Sequence, residues 1–169
     1  MAYLSIIRPQ NCIIGGLTVI AGIAMAYNIA HVIASVGALS THFPLFIYGY
    51  VTYFFVAAGG NVVNDIFDIE VDKINRPHRA LPSGRMTIRE AWAYVGFLSI
   101  MGLLFAIITG PYSALIVLCF LIVGYAYAAK VKTLGIAGNF MVAFSFAFGI
   151  LYGAFIFGET AGFPLANTI

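Results

Sequence analysis

The chain has 169 residues, of which 62% are hydrophobic and 8% charged, and its mean hydropathy is +1.01. A water-soluble domain does not carry so much apolar surface, so the composition excludes one and points to an integral membrane protein. The net charge of +2 is too small to argue for a nucleic-acid partner, and the placement of the charges says more.

A bilayer core about 30 Å thick needs about 20 apolar residues per helix. Five stretches meet that need, at roughly 11–30, 43–64, 91–109, 112–129 and 135–157, and none contains Lys or Arg. The expected fold class is therefore all-α, a polytopic transmembrane helical bundle. The first stretch is not expected to be a cleaved signal peptide, because four more spans follow it and no small-residue cleavage site leads into a soluble domain. Cys12 and Cys119 both fall in apolar stretches and read as small core residues, neither a disulfide nor a metal pair.

The basic residues alternate with the spans. Arg8 precedes the first span, and the 31–42 connection has no Lys or Arg, its His31 and His42 reading as bystanders. Lys73, Arg76, Arg79, Arg85 and Arg89 stand between spans two and three, and Lys130 and Lys132 between spans four and five. All eight basic residues thus fall on one face, which the positive-inside rule makes cytoplasmic. The N-terminus is then inside and Ile169 outside. Tight connections at 110–112 and 130–134 predict that spans three, four and five are antiparallel neighbours. Gly15–Gly16, Gly59–Gly60 and the Gly149/Gly153 pair suit close helix packing.

The stretch 61–84, NVVNDIFDIEVDKINRPHRALPSG, holds four of the six acidic residues and three of the eight basic ones. On a helix at about 100° per residue, with Asn64 at zero, Asp68 falls near about 40°, Asn61 near about 60°, Asp72 near about 80° and Asp65 near about 100°. Five oxygen-bearing side chains share one arc, and Glu70 lies on the other side. Two like charges about 5 Å apart cost about 3 kcal/mol at an effective dielectric near 20, and an acid inside a bilayer costs about 2.5–3.5 kcal/mol more. The stripe therefore needs cations. Oxygen donors without His or Cys suit a hard cation such as Mg²⁺, held by one or two carboxylates, water and phosphate. Lys73, Arg76 and Arg79 follow at once and serve either as partners of the aspartates or as anchors for a phosphate. Pro77 and Pro82 end the helix and turn the loop back. Phe67, Tyr125, Tyr127 and Phe140 stand near helix ends, where an aromatic face could stabilise a cation, and Asn139 is a polar residue within the fifth span.

N-D-x-x-D-x-x-x-D followed by x-x-N-R-P-x-R-x-x-P-S-G, from Asn64 to Gly84, resembles the first aspartate-rich motif of the UbiA-type intramembrane prenyltransferases. IRPQN at 7–11 resembles the family's entry to its first helix, and YAYAAKVKTLGIAGN at 125–139 its tyrosine–lysine loop. The resemblance implies a helical bundle around a cavity and Mg²⁺-dependent transfer of a polyprenyl group from a diphosphate. It implies that Asn64, Asp68 and Asp72 hold metal with help from Asp65, that Asp65, Asp68 and Asp72 are the catalytic acids, and that Lys73, Arg76 and Arg79 hold the diphosphate. Tyr127, Lys130 and Lys132 would cover that group from the second loop, Asn139 would join the substrate site, and Arg8 and Asn11 would line the acceptor side.

Within the family, IRPQN near the N-terminus and RALPSGRMTIREA are most similar to the branch that moves a geranylgeranyl group from geranylgeranyl diphosphate to the hydroxyl of geranylgeranylglyceryl phosphate for archaeal ether lipids. Aromatic, quinone-pathway prenyltransferases are the alternative. The family has about nine helices and a second aspartate-rich motif, whereas here the only acids after Asp72 are Glu90 and Glu159. The expectation is the N-terminal part of a prenyltransferase membrane domain, inactive alone. From other classes, a non-catalytic membrane fragment and a cation-site transporter remain; a transporter would more often place its polar residues at mid-membrane and repeat itself internally.

Overall fold

The structure, a computed structural model, describes residues 2–34, 36–130 and 137–162, with the side chains of 34, 130 and 137–144 left outside the description. A short helix α1 (Ala2–Ile6) leads into α2 (Pro9–Ala34), and a 3-10 turn (Leu39–His42) into α3 (Phe43–Phe67). Then come α4 (Ile69–Asn75), α5 (Ile88–Thr109), α6 (Pro111–Lys130) and α7 (Ala137–Thr160). The described residues contain no strand, and the chain is the all-α membrane bundle expected of its composition. Among the described residues four helices are long and apolar enough to cross a membrane, and the described side chains of α7 add a shorter apolar stretch, Ser145–Thr160.

Local chemistry sets the helix starts. Pro9 and Pro111 open α2 and α6, and Pro44 sits in the first turn of α3, positions where a missing N–H costs nothing. Thr87 caps α5 through a reciprocal box: its hydroxyl accepts from the Glu90 N–H, and the Glu90 carboxylate accepts from the Thr87 N–H at 2.7 Å. The T-x-x-E spacing at 87–90 encodes this box.

α3 lies at the centre, packed against α2, α5 and α6. α5 and α6 are neighbours, as their tight turn requires, but α7 packs chiefly along α2 and only lightly on α6, which corrects the expected sequential order. Backbone approach explains the difference. A Cβ on Gly22 would collide with the Ile150 carbonyl, and one on Gly153 with the Val19 carbonyl, so α2 and α7 meet closer than side chains would allow. Of the glycine pairs, Gly15 and Gly16 receive the rings of Tyr53 and Tyr50, and Gly59 the Tyr125 hydroxyl, while Gly60 faces open space. Cys12 is fully buried as expected; Cys119 instead faces outward, since α6 leaves that side uncovered, and both thiols are free.

At the end opposite the charged loop, Glu159 of α7 caps the start of α6. Its carboxylate accepts from the N–H groups of Tyr112 and Ser113, both at 2.9 Å, and from the Ser113 hydroxyl at 2.5 Å. A carboxylate there satisfies orphan donors and faces the positive end of the helix dipole. Glu159 is thus a structural lock, far from the aspartates.

The 76–87 loop folds back as the two prolines predict. Ala80, Leu81 and Met86 are buried in one cluster with Ile6, Ile7, Val62 and Ile66. Burying a Leu or Met side chain is worth about 1.5–3 kcal/mol against water, whereas an exposed ion pair gives about 0–1 kcal/mol. Packing, more than the surface charge of Lys73, Arg85 and Arg89, therefore holds the loop in place.

Candidate functional site

The expected single helix through 61–72 is broken. α3 ends at Phe67, Asp68 has φ −90 and ψ 0, and α4 begins at Ile69. The hydrogen-bond ladder survives the break, with the Asp68 N–H donating to the Asn64 carbonyl at 3.0 Å and the Asp72 N–H to the Asp68 carbonyl at 2.8 Å. Asp68 thus caps one helix and opens the next, in the bridge region of backbone space that many active-site residues occupy.

Around the break the polar stripe is assembled with partners from two other segments. Asp65 and Asp72 are buried, at 6% and 5% exposure. Arg79, from the returning loop, donates from one nitrogen, Nη1, to Asp72 Oδ2 at 2.5 Å and to Asp65 Oδ1 at 3.2 Å. Arg8, from the α1–α2 joint, donates to the same Asp65 oxygen. Two carboxylates and two guanidiniums thus balance in one network. A buried carboxylate left without such partners would be strongly unfavourable, which is why the network closes across three segments.

The joint that presents Arg8 is itself clamped. Arg8 is the one non-glycine residue with positive φ, at 50, among the described residues. The carbonyl before it, Ile7 O, accepts from Asn61 Nδ2 at 2.8 Å and from the Cys12 thiol at 3.2 Å. The Arg8 carbonyl accepts from the Asn11 N–H at 3.0 Å. A left-handed residue costs of the order of 1–3 kcal/mol and persists where its surroundings over-determine it; the Asn61 clamp and the Asp65 pair do so here.

Beside the network lies a cavity of about 300 Å³. Arg8, Asn11, Asn61 and Asn64 make a polar end, and Tyr53, Phe120, Tyr125, Tyr127 and Phe146 supply aromatic wall. Tyr125 is pinned by its 2.7 Å hydrogen bond to Ser99, and Tyr53 donates to the Ser145 carbonyl at 3.0 Å. The Tyr127 hydroxyl is buried without a hydrogen-bond partner among the described residues.

The sequence-derived site residues thus separate. Arg8, Asn11, Asn64 and Tyr127 border the cavity; Asp65, Asp72 and Arg79 form the adjoining network; Asp68 is half-buried at the break. Arg76 is exposed at the end of α4. Lys73 pairs with Glu70 at 2.7 Å on the exposed flank of α4 and is not brought to the aspartates. Phe67 packs edge-on against Trp92, 6.1 Å between centroids, and is not a cavity wall. The side chains of Lys130, Asn139 and Phe140, and all of Lys132, lie outside the described residues. Tyr53, Phe120 and Phe146 were missed. For Tyr53 a signal existed: carried back along α3 at about 100° per residue, the Asn64 stripe passes through Asn61, Gly60, Ala57 and Tyr53.

A divalent cation is implied by the motif, and the structure limits which side chains could hold it. Among the described residues no three carboxylates, imidazoles or thiols group as a cation site. Asp65 and Asp72, expected as ligands, face guanidiniums in this structure, because burial between helices favours a partner within the chain. Asn64 lines the cavity and Asp68 follows one helical turn later at the break, each with a side-chain oxygen. Such a set fits a hard cation carried largely by phosphate and water.

The chain matches the UbiA prenyltransferase family over residues 16–167. It is 36% identical to the digeranylgeranylglyceryl phosphate synthase of Methanosarcina barkeri, over 92% of this chain and 55% of that protein. The same-named proteins of Sulfolobus acidocaldarius (36%, 99% of this chain, 57% of that one) and Methanocaldococcus jannaschii (37%, 95% and 51%) are similar at comparable levels. A solved structure of a digeranylgeranylglyceryl phosphate synthase in membranes superposes with a TM-score of 0.76 and 34% identity, over 92% of this chain and 52% of that one. The chain spans about half the length of the relatives it matches.

Proposed function

Because this chain belongs to the UbiA prenyltransferase family, we propose that it supplies the first aspartate-rich half of an enzyme that moves a geranylgeranyl group from geranylgeranyl diphosphate to the hydroxyl of geranylgeranylglyceryl phosphate, in archaeal ether-lipid synthesis. The observation that supports this best is the cavity: amide and guanidinium groups at one end, aromatic faces along the rest, and a charged network beside the polar end.

In this reading the diphosphate lies at the polar end, where Arg8, Asn11 and Asn64 donate to its oxygens. The allylic C–O bond breaks and the electron pair leaves with diphosphate. The acceptor oxygen forms the new ether bond and releases its proton to the departed diphosphate. Asn64 and Asp68 would hold Mg²⁺, which supplies charge neutralisation for the leaving diphosphate. Tyr53, Tyr125 and Phe120 exclude water from the reacting carbon and turn aromatic faces toward its developing positive charge. The test is retention of labelled geranylgeranyl diphosphate by the purified chain in lipid. Retention should require Mg²⁺ and fall at least about tenfold, or about 1.4 kcal/mol, when the metal is chelated. Retention that survives chelation unchanged would sink the metal-linked reading.

The placement of Lys and Arg supports an orientation with the N-terminus and the 70–90 loop in the cytoplasm. A cysteine introduced at Ser83 should label only from the cytoplasmic side, and one at Ser35 only from outside. Labelling of the Ser83 variant from outside would overturn this orientation.

A further inference from the structure

The expected cation stripe contains its own cation. One nitrogen of Arg79 sits between Asp72 and Asp65, and Arg8 completes the charge balance on Asp65. The loop that delivers Arg79 is ordered by its own bonds: the Arg79 N–H donates to the Arg76 carbonyl at 3.0 Å, the Arg79 carbonyl accepts from Ser83 N–H at 3.0 Å and Oγ at 2.6 Å, and Ala80 and Leu81 are buried beside it. Arg79 is thus carried in by a packed segment, with a side chain 18% exposed.

We propose that Arg79 is a positioning residue that fills the place of a metal ion between Asp65 and Asp72, so that a divalent cation binds this half only together with a diphosphate. The proposal rests on the reading that cation and diphosphate meet at the polar end of the cavity. A carboxylate pair already neutralised by a fixed guanidinium gains little from a second cation, which must give up strongly held water to enter. Asn64 and Asp68 offer only one carboxylate between them, too few to hold a hard cation without phosphate oxygens. A doubly charged cation arriving with diphosphate brings its own compensating charge and leaves the Arg79 network intact.

The probe is Mn²⁺, followed by its electron paramagnetic resonance signal, with the full 169-residue chain in lipid nanodiscs. The native chain should bind Mn²⁺ at least tenfold more tightly when inorganic pyrophosphate is present, after correction for Mn²⁺–pyrophosphate in solution. Arg79→Gln should bind Mn²⁺ alone at least tenfold more tightly than the native chain, and Asp72→Asn added to it should remove the gain. A merely structural arginine would not yield a gain in metal affinity on its removal. If Arg79→Gln fails to fold, the native chain still decides: tight Mn²⁺ binding without pyrophosphate, lost in Asp72→Asn, overturns the proposal. So does a folded Arg79→Gln chain with unchanged Mn²⁺ affinity. A gain in Arg79→Gln with no pyrophosphate effect on the native chain upholds the guanidinium's role at the carboxylate pair and refutes the diphosphate reading instead.

Discussion

Residues 1–169, given labelled geranylgeranyl diphosphate and geranylgeranylglyceryl phosphate with Mg²⁺, should form no ether product above an Asp68→Asn control. The same chain co-expressed with the C-terminal half of a related synthase should form product at least about 100-fold faster. The scale follows from charge stabilisation: removing one group that stabilises a transition state costs on the order of 10²–10³-fold. Two considerations set the direction. The described residues present one set of oxygen donors, Asn64 and Asp68, beside one arginine–aspartate network, and the relatives are about twice as long. A leaving diphosphate needs charge on more than one side, and an allylic cation needs walls that keep water out. Product formed by the chain alone at the complemented rate would mean that one aspartate cluster and this cavity suffice.

Asp68→Asn should weaken Mg²⁺-dependent retention of geranylgeranyl diphosphate by tenfold or more, about 1.4 kcal/mol. The substitution keeps size and shape, removes one charge, and leaves the backbone hydrogen bonds at the break available to the new residue. Glu70→Gln is the matched control. Glu70 is two residues away and carries the same charge, yet its side chain is 77% exposed and pairs with Lys73. An exposed pair of this kind contributes about 0–1 kcal/mol, and its field is screened by salt. Glu70→Gln should change retention less than twofold. Equal losses from the two substitutions would show that general negative charge at the membrane surface, and not position on the stripe, governs binding.

The candidate site was legible in outline because its parts follow from short-range rules. Asn64, Asp65, Asp68 and Asp72 declare themselves by spacing alone, since acids in so apolar a chain are expensive and must be used. The wheel correctly set Glu70 apart from them, but it could not show that Lys73 would turn to Glu70. It also took the helix as continuous, so the change of backbone at Asp68 was invisible to it. Whether Arg79 would hold an aspartate or a ligand was open in the sequence, because both uses need the same residue at the same place. Tyr53 lay further back along the same stripe and was passed over, while Phe120 and Phe146 come from other helices and join the wall only by packing.

What the sequence determined by itself is local: the helical spans, because bilayer thickness sets the apolar run that each needs. Helix starts are local too, set by Pro9, Pro111 and the Thr87–Glu90 box, although the apolar spans alone placed them at 11, 112 and 91. Only the tertiary structure decided which helix lies beside which and which charge meets which. α7 lies on α2 because glycine backbones there permit an approach that no single helix reveals. Arg8 and Arg79 share Asp65 although 71 residues of chain separate them. Apolar patterning carries no information about pairing at that range, because any buried guanidinium would satisfy a buried carboxylate; the packing of the loop and the clamped joint at Arg8 select these two.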